Sequence, residues 1–540
     1  SGAEKMSAKK FQKKEILWIL ILILLCLILF FFRLGVRPLW DIDEGMHATT
    51  SKEMILSGDW VTPKFNGVPF YDKPIFHNWL VALAFVVFGF TEFAARFPAA
   101  VLGSGCVMIT YFWGRTMFYP TVGFLGAAIL ATAVEFIILS RSVVHDISLA
   151  FFITLALYLF YTEYKNNRHR TGRLILFYMS LGFAVLSKGP VGLVLPAMII
   201  GLYLIVERNL KFILKMKIGW GILIFLAVAA PWYILISLIN PDYAGYFIIE
   251  QNLGRFLSTD SRHSNPFYYY IPVLFGGFFP WSCFLPLALI YAVRKKFQNL
   301  PDSVSFPVIW FSVVFIFFSL ANSKLATYIL PLFPAASLLV ALCWHELLSR
   351  PVGKIRNGFL YSFLPVVLIF LAALIYLWIH PPVEMEYESG IKLGQIYFLT
   401  IWLVAGNVLA LILLLMKKHR VFFISIASMT VSAILLFLLV IVPSVNPYRS
   451  TKELSQKYDE LIPDDEKLAF YRRIKDSALF YSDRQALVLK TAKQLKDYLA
   501  SSQRVYAIIT RKRYADLPFK PYIVTRQGNK LIISNRNPLN

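Results

Sequence analysis

Charged residues are scarce in this sequence. Of its 540 residues, 16% are charged and 58% are hydrophobic, whereas about a quarter of the residues in a soluble globular protein are charged. This composition excludes a soluble globule. Several apolar runs approach or exceed the roughly 20 residues that a helix needs to cross a bilayer, among them 16–32, 222–239 and 421–442. The sequence therefore predicts a helical membrane protein that crosses the bilayer many times.

Cysteine is rarer still, with four residues in the whole chain. All four lie inside apolar runs and lack the paired spacing of a metal site or a disulfide framework. We expect them to pack as small hydrophobic side chains: Cys26, Cys106, Cys283 and Cys343.

Acidic residues are outnumbered, 31 against 54 Lys and Arg, which gives a formal net charge of +23. In a soluble protein this charge would suggest nucleic acid, but here the cations concentrate between apolar runs, where they orient helices in the membrane. No nucleic-acid partner is expected. Lysines precede the first run, and a signal peptide is the alternative, but no small-residue cleavage site follows. We predict a retained first helix over 17–34 with a cytoplasmic N-terminus.

The orientation of the later spans depends on one short run. The chain contains fourteen apolar runs. If the run 75–90 crosses the membrane, the later basic linkers lie outside; if it does not, they all lie inside, as the positive-inside rule requires. The run is short for a span and contains His77 and Asn78, so we predict an interfacial or re-entrant helix. The predicted fold class is an all-α polytopic membrane protein with about thirteen transmembrane helices over residues 1–445.

Residues 446–540 have no membrane-length run and hold 19 Lys and Arg against 10 Asp and Glu. We predict a small soluble α/β domain, and thirteen crossings would place it on the periplasmic face. Hydrophobic patterns predict helices over 477–481 and 491–501. Short strands are predicted over 468–471, 486–489, 505–509, 522–525 and 531–534.

The first outer segment, residues 35–75, is a long connection between two apolar elements, and long ordered loops are often functional. It places Asp41, Asp43 and Glu44 within four positions, next to Trp40. One interpretation is a solvated helix cap, with Asp43 capping a helix that follows. The other is a site for a cation, a sugar hydroxyl or a metal. Interfacial helices are expected within this loop.

Several stretches of the sequence resemble the GT-C glycosyltransferases. They are more narrowly similar to the family of 4-amino-4-deoxy-L-arabinose (lipid A) transferase and its protein O-mannosyltransferase relatives. The resemblance rests on the Asp-Glu pair at 43–44, SGDWVTPKFNGVPFYDKP at 57–74, RSVVHDISL at 141–149, SKGPVGLVLP at 187–196 and FFSLANSKLATYILPLFP at 317–334. It covers most of the membrane part, whereas the tail matches only in position and general character.

This resemblance implies roles for individual residues. Asp43 and Glu44 form the acidic pair, and Asp146 is a second acidic residue at an outer helix end, so these three are expected to be catalytic. Lys73 matches the lysine thought to hold the lipid phosphate, although Asp72 stands where the family motif usually has Glu. The chain also departs after the acidic pair, where relatives usually have Arg-Tyr and this sequence has Met46 and His47. The departure at Met46 and His47 concerns the identity of the sugar and of the acceptor more than the type of reaction.

Cations that the topology leaves on the outer face are candidates for binding an anionic lipid, because ionisable groups near a bundle interior mark substrate paths. Interfacial snorkelling is the alternative for each. Tyr328, about one helical turn after Lys324, resembles a family tyrosine near the sugar phosphate, with core packing as the alternative. The predicted substrate-binding residues are Lys73, Lys188, Arg255, Arg262, Lys324 and Tyr328.

No cofactor is required by the sequence, but the resemblance includes a divalent metal in some members, either zinc or magnesium. Asp72 and His263 would be its tentative ligands, although two ligands do not define a site.

The resemblance implies an inverting glycosyltransferase of the bacterial inner membrane. The expected partners are membrane lipids, an undecaprenyl-phosphate-sugar donor, and lipid A or another envelope acceptor; we expect a monomer. The best candidate sugar is 4-amino-4-deoxy-L-arabinose, and a protein O-mannosyltransferase-like activity is the alternative. A flippase or transporter of lipid-linked sugar is the alternative of another class, but transporters often show internal repeats and we find none in this sequence.

Overall fold

A computed structural model describes residues 2–166, 171–247, 254, 264–296, 304–349, 353–382, 384–462, 466–482 and 484–537. Within these residues, eight helical segments are long and apolar enough to cross a membrane. They are Lys13–Phe31, Glu92–Met117, Asp146–Asn166, Ile218–Ile239, Ala326–Ser349, Gly353–Ile379, Leu393–Leu415 and His419–Arg449.

Shorter helices also belong to the described membrane part. The pair Phe267–Gly277 and Trp281–Arg294 bends by 118° at its break, and the helix Thr171–Lys188 packs between two of the long helices. Four further apolar helices have 10 to 17 residues: Phe76–Phe88, Pro120–Ala131, Val191–Val206 and Ser305–Leu320. The fold class is confirmed as a polytopic helical bundle with a small sheet domain, whereas the number of thirteen crossings stays a prediction.

The helix Phe76–Phe88 is the short run on which the orientation depends. Its 13 residues rise about 20 Å, less than the roughly 30 Å thickness of a hydrocarbon core. It ends at Gly89, whose φ of 74° turns the chain toward the next helix, a conformation that glycine adopts without steric strain. This length is consistent with an interfacial or re-entrant helix, which stays a prediction.

The first outer loop begins after the π-helical end of the first span, Leu27–Phe31. The helix Asp43–Ser57 and a hairpin of Lys64–Phe65 with Val68–Pro69 follow before the helix Phe76–Phe88. The loop therefore contains a helix, with Asp43 in its first turn, and the position of this helix at the membrane interface stays a prediction. Minor helices elsewhere are Val134–Leu139, Phe212–Lys215, Asp242–Gly245 and Glu384–Ser389.

The tail domain, residues 446–540, forms one five-stranded sheet. Its strands lie within one or two residues of the predicted positions, in the spatial order Ala486–Leu489, Leu468–Tyr471, Tyr506–Thr510, Lys530–Ser534 and Tyr522–Gln527. The first three are parallel and the last two pair antiparallel. The helices are Val442–Arg449, Lys452–Asp459, Asp476–Tyr481, Ala492–Leu499 and Arg511–Ala515.

The tail domain packs on the first outer loop. A methyl group added at Gly45 would lie 2.4 Å from the backbone nitrogen of Ser477, so glycine permits close approach of the two helices. Lys52 Nζ donates to the Phe480 carbonyl at 2.8 Å, and the Leu39 N–H donates to the Tyr481 hydroxyl at 2.7 Å. The tail therefore lies on the same face of the molecule as the loop that contains Asp43.

Candidate active site

A buried ion network fixes the start of the first outer loop. Arg96 donates to both carboxylate oxygens of Glu44, at 2.8 and 2.9 Å, and Arg37 donates to one of them at 2.8 Å. Arg96 also donates to three backbone carbonyls within residues 34–38. Burial alone would raise the pKa of Glu44, but the two guanidinium groups hold it well below its usual range. These contacts favour a structural role for Glu44, and its catalytic role stays a prediction.

Asp43 has the opposite environment. It lies in the first turn of the helix Asp43–Ser57 and is exposed, so its carboxylate is accessible to a substrate. His47 lies one helical turn further on. Burial lowers the pKa of His47, the carboxylates of Asp72, Asp43 and Asp146 oppose this shift, and Lys73 reinforces it. Three charged residues of the loop, Asp43, Asp72 and Lys73, and Asp146 of a membrane helix therefore lie within electrostatic range of one imidazole.

The outer end of the loop forms a second charged pair. Lys73 Nζ lies 3.0 Å from Asp72 Oδ2 and 3.2 Å from the Asp72 carbonyl oxygen. Both side chains are about one-fifth exposed, so an incoming phosphate can reach the ammonium group. Lys73, the predicted phosphate-binding lysine, is thus partly exposed and forms an ion pair with Asp72, the tentative metal ligand.

A third pair joins the membrane helices to the site. Lys188 is the last residue of the helix Thr171–Lys188, and Asp146 is the first residue of the helix Asp146–Asn166. The two side chains form an ion pair. The Lys188 ammonium lies 4.1 Å from the centre of the Tyr328 ring, within the range of a cation–π contact. The structure therefore brings together Asp146, Lys188 and Tyr328, three residues that the sequence proposed separately.

Three buried histidines lie between these pairs. The His47 and His145 rings are 4.5 Å apart and the His145 and His77 rings 5.0 Å apart. His77 Nδ1 and the Ser148 hydroxyl are 2.8 Å apart. Within the described part of the chain, both nitrogens of His145 and Nε2 of His77 are buried without a hydrogen-bond partner. The sequence interpretation assigned no role to this group, because its members are separated by about thirty and seventy positions and only tertiary structure brings them together.

Lys324 lies differently from the prediction. It precedes the 3₁₀ segment Ala326–Leu332 rather than lying in one helix with Tyr328. Its ammonium group donates to the Asn265 carbonyl at 2.9 Å and to the Ala321 carbonyl, and the residue is only 3% exposed. In this structure Lys324 holds two loops together, and its role toward a phosphate stays a prediction.

Arg255, Arg262 and His263 lie outside the described residues, so their predicted roles stay predictions. The described residues hold no group of three or more His, Cys, Asp or Glu side chains arranged to bind a metal ion. Asp72 is already paired with Lys73. Because His263 lies outside the described residues, the metal site of Asp72 and His263 stays a prediction.

Glu135 is a further buried group that the sequence did not indicate. It is 9% exposed, and neither of its oxygens has a hydrogen-bond partner among the described residues. Asp146 lies within electrostatic range of it. No motif in the sequence marks this position, because Glu135 stands alone in an apolar stretch.

The tail domain contributes to the rim of the site. The Ser477 N–H donates to Asp41 Oδ1 at 2.9 Å, and the Asp41 N–H donates to the Arg449 carbonyl at 2.8 Å. Burial and the neighbouring Asp41 raise the pKa of Asp476 to about 7. Asp41, the third acid of the loop motif, is therefore a contact between the loop and the tail.

Cationic and acidic side chains lie next to one another at the ends of several helices of the site. The two ammonium groups of Lys73 and Lys188, which the sequence predicts to bind a phosphate, each lie beside a carboxylate, and the carboxylate of Asp43 is exposed. Lysine binds phosphate as a point charge, and a carboxylate can orient a sugar or accept a proton. Such a site suits a phosphate-linked sugar presented from the membrane.

Comparisons with known proteins agree with this chemistry. Residues 72–235 match the family model described as dolichyl-phosphate-mannose-protein mannosyltransferase. The undecaprenyl phosphate-α-4-amino-4-deoxy-L-arabinose arabinosyl transferase of Aeromonas hydrophila is 32% identical over 382 residues, which cover 68% of this chain and 69% of the relative. The corresponding transferase 2 of Proteus mirabilis is 29% identical over 396 residues, 72% of this chain and 70% of the relative.

Solved structures share the fold. The crystal structure of ArnT from Cupriavidus metallidurans bound to undecaprenyl phosphate has a TM-score of 0.81 and 22% identity, and the match covers 96% of this chain and 98% of the other. The archaeal oligosaccharyltransferase AglB from Archaeoglobus fulgidus has a TM-score of 0.52 and 14% identity, over 88% of this chain and 64% of the other. By sequence, site and fold, the chain belongs to the undecaprenyl phosphate-α-4-amino-4-deoxy-L-arabinose arabinosyl transferase family of GT-C glycosyltransferases.

Proposed function

We propose that this protein transfers 4-amino-4-deoxy-L-arabinose from undecaprenyl phosphate to a phosphate group of lipid A. The observation that supports this most is the pairing of Lys73 and Lys188 with carboxylates beside the exposed Asp43. A polyprenyl phosphate-sugar would pack its apolar tail against the helices and present its phosphate at the membrane surface. The ammonium groups of Lys73 and Lys188 are the cations that would meet this phosphate.

The proposed reaction is a single displacement at the anomeric carbon. An acceptor oxygen forms a bond to that carbon while the bond to the donor phosphate oxygen breaks, so the configuration inverts and undecaprenyl phosphate leaves with the bonding electrons. Negative charge grows on the leaving phosphate, and we expect the ammonium groups of Lys73 and Lys188 to stabilise it. Pre-placed charges of this kind are usually the largest contribution to catalysis.

The role of Asp43 depends on the acceptor. A lipid A phosphate is already largely ionised and needs no strong base, so Asp43 would orient the sugar through its positively charged amino group. A hydroxyl acceptor, as in protein O-mannosylation, would need Asp43 as a general base. The match of residues 72–235 to the mannosyltransferase model is the reason to test this second activity.

We assign no step to a metal ion, because Asp72 pairs with Lys73 and the described residues offer no set of ligands. Metal analysis of the purified protein would test this assignment. We also propose that the protein acts as a monomer in the inner membrane, with its N-terminus in the cytoplasm and the tail domain in the periplasm.

The function is tested by reconstitution. Purified protein is incubated with undecaprenyl phosphate-aminoarabinose and lipid A, and the products are analysed by mass spectrometry. We expect lipid A to gain one sugar residue and Asp43→Asn to yield none. Transfer to a hydroxyl-bearing peptide instead would favour the mannosyltransferase-like activity, and movement of intact donor between the leaflets of a vesicle without transfer would favour a flippase.

A further inference from the structure

Cations concentrate at one edge of the tail-domain sheet. The strands Ala486–Leu489, Leu468–Tyr471 and Tyr506–Thr510 are parallel neighbours, so their carboxyl ends lie together. The residues that follow these three strand ends include seven cations, which we call the basic edge: Arg472, Arg473, Lys475, Lys490, Arg511, Lys512 and Arg513.

Hydrogen bonds join the three connections of the basic edge into one surface. The Arg472 N–H donates to the Leu489 carbonyl at 2.8 Å, which ties the first connection to the neighbouring strand end. Arg513 Nη1 donates to the Tyr471 carbonyl at 3.2 Å, which joins the connection after Tyr506–Thr510 to the end of the strand Leu468–Tyr471. Five of the seven cations are exposed to solvent: Arg472, Arg473, Lys490, Arg511 and Lys512. Grouped cations raise the local concentration of anions.

The basic edge adjoins the active site. The connection that contains Arg473 runs directly into the helix Asp476–Tyr481, whose Ser477 N–H bonds to Asp41 of the first outer loop at 2.9 Å. At the same sheet edge, Lys530 Nζ donates to the carbonyls of Tyr448 and Ser450 at 2.9 and 2.7 Å, at the end of the last membrane-spanning segment. The edge therefore lies beside both the membrane part and the acids of the loop.

We propose that the basic edge binds a phosphate group of the acceptor glycolipid and holds it beside the site of sugar transfer, an inference that rests on the proposed function. The acids at Asp41 and Asp43 repel an anionic acceptor, and neighbouring cations offset that repulsion. A glycolipid with two phosphates can dock one while the other attacks the sugar. Arginine is suited to this task because it can hold phosphate bidentately, and ligands of open α/β sheets bind at the carboxyl ends of the strands.

The test uses the full-length protein in detergent micelles with donor and lipid A. The variant R473Q/K512Q removes one exposed cation from each of two connections, and K467Q/K496Q removes two exposed cations away from the basic edge. We expect the edge variant to raise the KM for lipid A about tenfold, with kcat within about twofold, because charge complementarity acts on encounter and orientation. The effect should shrink at high salt. The thermal shift caused by undecaprenyl phosphate should not change, and the control variant should resemble the unmodified protein.

Monophosphoryl lipid A separates acceptor binding from general binding to membrane lipid. If the edge holds an acceptor phosphate, the edge variant loses less with the monophosphoryl acceptor than with the bisphosphoryl one. An equal loss with both, relieved by adding phosphatidylglycerol, would show that the edge binds bulk anionic phospholipid and would overturn the inference, as would an unchanged KM. Binding of lipid A that depends on the edge but leads to no transfer would contradict the proposed function, and of this inference only the binding of a lipid A phosphate by the edge would remain.

Discussion

Asp43 and Glu44 are neighbours in sequence with opposite surroundings: Asp43 is exposed, whereas Glu44 is 6% exposed and surrounded by guanidinium groups. A carboxylate that is free at the surface can meet a substrate, and one that is fully paired positions the chain. The two acids of the motif are therefore expected to respond differently to substitution.

Asp43→Asn is expected to abolish sugar transfer and leave the fold and donor binding intact. The residue is exposed, so the change removes a charge at the site without disturbing the core. Product formation is measured by mass spectrometry and melting temperature by scanning fluorimetry. Asp242→Asn, an exposed acid of another outer helix, is the control and should stay active. Normal transfer by a well-folded Asp43→Asn protein would remove Asp43 from the mechanism.

Lys73→Ala is expected to weaken binding of undecaprenyl phosphate by roughly ten- to a hundredfold, because a charge-assisted hydrogen bond contributes about 1.5 to 3 kcal/mol. Its partner Asp72, 3.0 Å away, provides the matched control. Asp72→Asn leaves the ammonium group free and should bind the donor at least as well as the unmodified protein. Thermal shifts on titration with undecaprenyl phosphate measure both, and equal affinity in the Lys73→Ala protein would place the phosphate elsewhere.

At the scale of elements, the network of Glu44, Arg37 and Arg96 joins the first outer loop to the helix Glu92–Met117. Removing one partner of a buried ion pair leaves uncompensated charge and costs about 3 to 5 kcal/mol. The loop helix that contains Asp43 depends on this anchor for its position.

Glu44→Gln is accordingly expected to lower the melting temperature clearly. Glu15→Gln is the control, because its partner Arg115 lies on the same helix as Arg96 and is 46% exposed, and such pairs contribute at most about 1 kcal/mol. Scanning fluorimetry in detergent compares the two. A Glu44→Gln protein of unchanged melting temperature that fails to transfer sugar would restore the predicted catalytic role.

Asp476→Asn is expected to stabilise the protein increasingly as the pH rises from about 4 to 7. Burial and Asp41 raise the pKa of Asp476 to about 7. Between its ordinary value and 7, the folded state holds a proton that the unfolded state has lost, so stability falls as pH rises through this window. Asparagine resembles the protonated form and removes that loss. A melting-temperature difference that stays constant with pH would contradict the raised pKa.

Local patterns predicted some elements of this protein well and others not at all. The tail strands were predicted within one or two residues because each is a short apolar run bounded by polar residues, a pattern that is visible in the neighbouring sequence. The partners of Glu44 were not, since Arg96 lies 52 positions away. The contacts of His47 with His145, and of Lys188 with Tyr328, likewise depend on how separate helices pack. Motif similarity marked Asp43, Asp146 and Lys73, but only geometry showed which carboxylate was free.

At the scale of the whole molecule, the first outer loop and the tail domain must lie on one side of the membrane. Lys452 Nζ bonds to Glu92 at 2.6 Å, and the Tyr481 hydroxyl donates to the same carboxylate at 3.0 Å. Both contacts join the tail to the outer end of the helix Glu92–Met117. The site and the tail therefore lie on the same side of the membrane, whichever side that is.

We expect the site and the tail domain to lie in the periplasm, because the basic linkers between the later apolar runs then all face the cytoplasm. An alkaline phosphatase that is active only outside the cytoplasm should be active when fused after Asn540. The same enzyme fused after Lys418, in a basic linker, should be inactive, and immunoblots should show equal amounts of the two fusions. The reverse pattern would mean that the whole protein is inserted in the opposite orientation, because the tail contacts the first outer loop and both would then lie in the cytoplasm, with the basic linkers outside against the positive-inside rule.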